Sequence, residues 1–396
     1  MPSRLDRARG NAYPILRSQK YRYEMNESDR HAGRTIKVLC ITEDPDRPTI
    51  AAFLGMYHAG VDLDVICPPR YERRSNLREA GIRLIDIEFR GRHDREAIRL
   101  LRRELQNGGY DILHLFGNKG LQNGLAAARG LPIHIVAYRG IVGNVSFFSP
   151  ISWMRFLNPR IDRIICVADA VRDYFLRMQP KFLRIPPERL VRIYKGHSLD
   201  WYKDRPTDLR QLGIPEGAFI IGCVANYRPR KGIEVLVEAM AQLPEELQAH
   251  LLLVGRMDSR RLEAKIAASP LRTRIHRVGQ RSDAPTLTAA CNVFVSPSIK
   301  REGLSRSLIE AMAYGVPPIT TDCGGSRELV IADESGLIVP VGDAGAIAKA
   351  IYRLYQNPEL RQRIGTAARE RIATHFRIED TIRQTIAVYR ELIQEV

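Results

Sequence analysis

Nowhere among the 396 residues is there an apolar run of the length, about 18 residues, that would cross a bilayer as a helix. The start, MPSRLDRARGNAYPIL, carries charge but no apolar segment of signal-peptide length, which points away from export. Cysteine is scarce: six residues, at 40, 67, 166, 223, 291 and 323, mostly in apolar, strand-like surroundings and never at a metal-ligand spacing. This excludes a disulfide scaffold and reads as reduced core thiols in a cytoplasmic protein. Acidic residues are in deficit, 45 against 61 Lys and Arg, which leaves a net charge of +16. Such an excess suits an anionic partner, but no recognition-helix, zinc or RNA-binding signature accompanies it, so nucleic acid is not the expected one. An anionic membrane face or an anionic lipid-linked acceptor is, which would make the protein peripheral on the inner face of the plasma membrane.

What the chain has in quantity is alternation. A length of 396 residues with 44% hydrophobic and 27% charged content suits two soluble domains. Strands are expected at 35–42, 62–67, 83–87, 111–116 and 133–138, with helices at 49–59, 94–107 and 121–129 between them. The same alternation runs from Phe219 to Pro340, with helices at 233–243, 259–268 and 284–290, and long helices close the chain. Strand-helix repetition of this kind builds doubly wound parallel sheets. Residues 1–33 are polar and basic, with a short helix expected at 14–23.

The stretch EGLSRSLIEAMAYGVPPITTDCGGSRE, residues 302–328, is the most informative. Asn292 to Ser296 reads as a buried strand, and Pro297-Ser298 ends it. After a polar loop, Leu308, Ile309, Met312 and Ala313 share one side of a helix. Ser305 or Ser307 is placed to cap it, Gly315 ends it, and Pro317-Pro318 forbids its continuation. Free amides at such a helix start bind anions such as a diphosphate. Glu302 lies in the loop and Glu310 one turn into the helix. Two carboxylates beside an anion site are useful for gripping paired hydroxyls, as on ribose or a sugar ring.

Glu302-Gly303-Leu304, Glu310-Ala311-Met312-Ala313, Gly315, Pro317, Gly324-Gly325 and Glu328 together resemble the signature of the retaining glycosyltransferases of family 4, which share the GT-B fold with glycogen synthase. The likeness runs over about residues 35–396 and is stronger in the second half. It implies two Rossmann-like doubly wound domains facing across a cleft. It divides the chain into a basic extension (1–33), an acceptor-binding domain (34–205), a nucleotide-sugar-binding domain (206–377) and a last helix (378–396) crossing back onto the first domain. The implied reaction is metal-independent hexosyl transfer from a nucleotide sugar, a UDP-sugar rather than a GDP-sugar, to a glycan or lipid-linked acceptor of the cell envelope. No cofactor is implied, since the nucleotide sugar is a substrate. Retention without an obvious nucleophile implies front-face attack, in which the leaving phosphate helps take the acceptor proton.

The resemblance also assigns residues. Glu310 would hold the ribose and Glu302 would lie beside the donor sugar. Amides near Gly303, Leu304, Ser305 and Arg306 would bind the distal phosphate, although Ser305 replaces the usual Gly or Pro. Lys231 falls on a lysine that stabilises the departing diphosphate, where preorganised cations act on growing charge. Asn226 falls where an arginine is usual, so Arg228 or Arg230 would supply that charge. The backbone at Val278-Gly279 would touch the base. On the acceptor side, His114 ends a strand, and Arg139 replaces a reacting-centre histidine. Arginine stays protonated, so Arg139 is expected to act as a cation and not as a base. The loop from Val142 to Leu157 brings Phe147, Phe148, Trp153 and Phe156 together. These rings either fill the domain core or line an acceptor groove or membrane interface. Where relatives carry Gly-Gly after the first strand, this chain has Glu43-Asp44-Pro45-Asp46. The pairs Asp44/Asp46 and Asp62/Asp64 resemble metal-binding acids of another transferase class but are discounted, because Asp62 begins a strand and this group needs no metal. These departures motivate the alternative of a non-catalytic nucleotide-sugar-binding protein of the same fold.

Overall fold

The computed structural model describes residues 34–71, 73–178 and 184–394. The basic extension, with the helix expected at 14–23, lies outside the described residues. Seven strands form a first parallel sheet: β1 (Lys37–Ile41), β2 (Asp62–Ile66), β3 (Arg83–Ile85), β4 (Ile112–Leu115), β5 (His134–Arg139), β6 (Arg163–Cys166) and β7 (Leu190–Arg192). Their order is β3-β2-β1-β4-β5-β6-β7. Six more form a second: β8 (Phe219–Val224), β9 (Ala249–Val254), β10 (Ile275–Arg277), β11 (Val293–Ser296), β12 (Pro318–Thr321) and β13 (Leu337–Val339), in the order β10-β9-β8-β11-β12-β13. All pairings within these sheets are parallel.

The composition of the strands explains the sheets. Val38, Leu39, Cys40 and Ile41 of β1 are all fully buried, as are Leu251, Leu252 and Leu253 of β9. Runs apolar on both faces suit a sheet covered by helices on both sides. Some of the helices start where a side chain closes the first turn. Asp94 accepts from the Ala97 amide to open the helix Arg95–Asn107, and Asp343 from Ala346 to open Ala344–Gln356. The strand expected at 83–87 stops at Ile85, because the Ile87 amide turns back to the Ile85 carbonyl. The helix expected to reach Leu243 ends at Met240, where Leu243 closes a turn.

In each sheet the strand order reverses once, between β1 and β4 and between β8 and β11. Ligands of such sheets sit at the carboxyl ends of the strands at that point. The two domains turn these ends toward each other. The chain passes between domains at two neighbouring segments: His197 donates to the Phe376 carbonyl at 2.7 Å and accepts from the Ile378 amide at 3.2 Å. The last helix, Ile378–Gln394, then packs on the helix Arg47–His58 of the first domain. Gly55 permits this approach, since a Cβ there would fall 2.1 Å from the Ile382 Cδ1. Ile382, Ile386, Tyr389 and Leu392 of the last helix thereby join the core of the first domain.

Candidate active site

The loop 297–305 follows β11, and the helix Arg306–Ala313 begins where that loop meets the cleft. Ser305 occupies its N-cap position, yet its hydroxyl caps no first-turn amide and lies 3.5 Å from the Ser307 hydroxyl. The capping expected from the sequence is thus not made, and the helix start keeps the free donors an anion needs. The first domain does the opposite at three helix starts around the same cleft. Asp46 accepts from the Thr49 amide and caps Arg47–His58. Glu43 accepts from the amides of Lys119 and Gly120 at 2.6 and 2.8 Å, at the start of Asn118–Ala127. Glu328 reaches across from the second domain to accept from Asp169 and Ala170 at 2.8 and 2.7 Å, at the start of Asp169–Arg177. The acidic segment that stands where relatives have Gly-Gly therefore fills two of the first domain's own anion-binding helix ends. Among these four helix starts, that of Arg306–Ala313 in the second domain has no side-chain cap.

Glu302 is 6% exposed and held on two sides. Lys231 donates to both of its oxygens, at 2.8 and 3.1 Å, and Ser298 donates to one at 2.8 Å. Such a buried pair is stabilising only because geometry and a further hydrogen bond offset its desolvation. Gly303 follows where the two domains come close: a Cβ there would lie 2.2 Å from the Gly140 carbonyl oxygen of the first domain. Leu304 packs against apolar residues of both domains.

Arg306 stands 3.5 Å from Glu310 and 4.0 Å from Asp46. Asp46 is also paired with Lys195 at 2.7 Å, and the Lys195 ammonium lies 5.5 Å from the centre of the Tyr138 ring. Burial would raise the Asp46 carboxyl, but Lys195, by charge and hydrogen bond, outweighs it and holds the group below the usual range. Burial lifts the Glu310 carboxyl to about 7 against the opposing charge of Arg306, with Asp46 adding to the rise. A row of alternating charge, Lys195, Asp46, Arg306 and Glu310, thus spans both domains.

Other expected residues fall elsewhere. Arg139 is buried on β5, where it donates to the Ile141 carbonyl at 3.0 Å and to the Gly143 carbonyl, with its guanidinium 4.7 Å from the Phe156 ring centre. With these contacts Arg139 braces its own loop. Burial lowers it to about 10, so it remains a cation at neutral pH. His114, expected on the acceptor side, is 2% exposed and its Nδ1 lies 2.6 Å from the Tyr389 hydroxyl of the last helix. It serves the join between sheet and helix. Asn226 accepts from the Arg256 amide at 3.0 Å and so holds a neighbouring loop. Arg228 is exposed, and Arg230 donates to the Arg301 carbonyl at 3.2 Å, beside Lys231. At the rim, Val278 donates to Leu253 and the Gly279 carbonyl accepts from Gly255. Of the aromatic loop, Phe156 is core, Trp153 is half-buried and Phe148 is 88% exposed.

Asp46, Lys195 and Glu328 were not foreseen as site residues. For Asp46 a local signal existed: an acid directly before Arg47-Pro48-Thr49 is a helix start. A second groove, of about 670 Å³, lies between the domains next to Gly324, against the loop of Glu302. Val142, Asp169, Asp173 and Tyr174 line it from the first domain, and Asp322 and Arg327 from the second.

Two Rossmann-like parallel-sheet domains facing across a cleft define the GT-B class of fold. Within it, the description "Glycosyl transferases group 1" matches residues 204–371, and "Glycosyl transferase 4-like domain" matches residues 53–196. The chain belongs to the group 1, family 4 glycosyltransferases. It is 30% identical over 276 residues to the phosphatidyl-myo-inositol mannosyltransferase of Mycobacterium leprae, covering 69% of this chain and 71% of that protein. It is 28% identical over 259 residues to the lipopolysaccharide core biosynthesis mannosyltransferase LpsB of Rhizobium meliloti, covering 61% and 69%. Among solved structures, a glycosyltransferase of Rickettsia africae superposes with a TM-score of 0.78 at 20% identity, over 92% of this chain and all of that one. Anabaena HepE, solved with UDP, superposes with a TM-score of 0.72 at 22% identity, over 92% and 100%.

Proposed function

We propose that the protein moves a hexosyl group from a UDP-sugar to a hydroxyl of a glycan or lipid-linked acceptor of the cell envelope, with retention and without a metal ion. The observation that carries this reading is the uncapped start of Arg306–Ala313, set beside Lys231, Glu302 and Glu310 while the opposing helix starts are filled. In this reading the diphosphate takes the free amides and the charge of Lys231, and Glu310 takes the ribose hydroxyls. Glu302 meets the sugar, in the family's manner. The acceptor oxygen bonds to the anomeric carbon on the face from which the phosphate leaves. Its proton passes to that phosphate, and the nucleoside diphosphate departs with the electron pair. The 670 Å³ groove beside Gly324, with Asp169, Asp173, Asp322 and Arg327 in its lining to meet hydroxyls, suits a glycan acceptor. The names of the relatives, a lipopolysaccharide core enzyme and a phosphatidylinositol enzyme, favour an envelope acceptor presented at the inner face of the plasma membrane.

A panel of UDP- and GDP-sugars, screened by thermal shift and by nucleotide release in the presence of EDTA, tests it. A ligand at about 100 times its dissociation constant stabilises by about 2.7 kcal/mol. One UDP-sugar should raise the melting temperature and be slowly hydrolysed, with the α anomer released first by NMR from an α donor. Loss of turnover in EDTA, or the inverted anomer, would overturn the corresponding part. Binding without any turnover would indicate a non-catalytic nucleotide-sugar-binding protein.

A further inference from the structure

The aromatic loop is firmly built, yet it presents apolar side chains to solvent. Its interior is tied together: the Trp153 indole donates to the Phe147 carbonyl at 2.8 Å, the two rings meet edge to face at 5.7 Å, and Ser146 donates to the Ser152 hydroxyl at 3.0 Å. Tyr174 and Arg139 fasten it to the domain through the carbonyls of Val145, Ile141 and Gly143. On this base Phe148, Ile151 and Met154 stand out, 88%, 46% and 52% exposed. They are half of the exposed large apolar side chains among the described residues, gathered within seven positions. Isolated exposed apolar groups are ordinary, but a cluster on a braced projection marks a contact surface.

The loop itself carries charge of one sign. From Gly140 to Ile161 there is no Asp or Glu. Arg155 lies in the same loop, close enough to Arg92 for the two charges to be felt, and Arg301 packs against Gly143, its Cγ 3.5 Å from where a Cβ would stand. We propose that Phe148, Ile151 and Met154 insert into the headgroup boundary of an anionic bilayer, with Arg92 and Arg155 held over its phosphates. An exposed apolar tip with arginines beside it suits a soft, negatively charged surface, where each part gains: apolar groups by leaving water and cations by the surface potential. The projection belongs to the same loop as Val142, which lines the 670 Å³ groove, so docking would bring the groove near the headgroups. This deepens the proposed acceptor class, and its test needs neither donor nor acceptor, so either reading can fail alone.

The full chain is sedimented with phosphatidylcholine vesicles, with and without phosphatidylglycerol, at low and high salt. Wild type should pellet with the anionic vesicles at low salt, and binding should weaken as salt screens the arginines. The Phe148→Ser, Ile151→Ser, Met154→Ser triple variant alters only exposed groups. It should melt like wild type and bind about tenfold or more weakly. A Phe148→Trp variant should bind as wild type and have its emission quenched by brominated acyl chains. The proposal is overturned if wild type stays in the supernatant at low salt, if the triple variant binds equally, or if bound Phe148→Trp is unquenched. It is also overturned if sedimentation velocity shows a dimer that the triple variant loses, since a second copy would then cover this face.

Discussion

Glu310 should weaken the folded protein for the sake of its ligand, and Glu310→Gln tests this. Its carboxyl is lifted to about 7 from an ordinary 4.5, first by burial and against the pull of Arg306. At about 1.36 kcal/mol per pH unit the gap corresponds to roughly 3 kcal/mol. Between those values the folded chain keeps a proton that the unfolded chain has lost, so stability falls as pH rises through the window and the penalty is complete above it. Glu310→Gln removes this penalty, in which the pull of Arg306 is already counted. The variant should therefore be more stable by roughly 3 kcal/mol at about pH 8, or about 8 °C for a domain of this size, and no more stable near about pH 4.5. The same variant should bind UDP about tenfold or more weakly, since a hydrogen bond to a charged carboxylate contributes about 1.5–3 kcal/mol. Differential scanning fluorimetry at the two pH values and calorimetric titration with UDP measure both. Equal melting temperatures at about pH 8, or unchanged UDP affinity, would refute the assignment of Glu310 as a ligand group held at an energetic cost.

Three other outcomes are expected. Lys231→Ala should lower turnover by about a hundredfold, as when one preorganised donor is lost; full turnover would move the role to Arg230 or Arg228. Asp46→Asn leaves the Lys195 ammonium without its carboxylate and should destabilise by about 3 kcal/mol or somewhat less, given partial exposure, read by urea denaturation. A midpoint like that of wild type would mean the pair contributes little. Glu328→Ala uncovers two amides of the first domain, and should raise KM for donor and acceptor by loosening the closed cleft while melting changes little. An unchanged KM would remove Glu328 from closure.

The parts legible in the sequence were those determined locally. Doubly buried Val, Ile and Leu runs identified the strands, and the Glu302 to Glu328 string placed Glu302 in its loop and the helix start after it. Arg139 shows what a strand end conceals. Successive strand residues face opposite sides, and Arg139 shares its side with Ile135 and Ala137, which face the cluster holding Phe156. Counting along β5 would have sent it into that core. His114, by the same count, joins Ile112 beneath the last helix. The Asp46 partnership with Lys195, and the reach of Glu328 to Asp169, join residues far apart in the chain, and no local pattern announces such pairs.

The last helix sets the timetable of folding during synthesis. Ile382, Ile386 and Tyr389 complete the core around the helix Arg47–His58, yet a ribosome makes them only after the whole second domain. At about 5–20 residues per second, the first domain waits roughly 10–40 s after Lys195 is made before its covering segment exists. Throughout that interval Phe53, Met56 and the apolar face around His114 stand open to other nascent chains. The second domain, from β8 to β13, has no such debt and can close as it emerges. Production of the first domain as a separate fragment should therefore give aggregated protein, and adding the 378–394 helix as a peptide should restore part of its solubility.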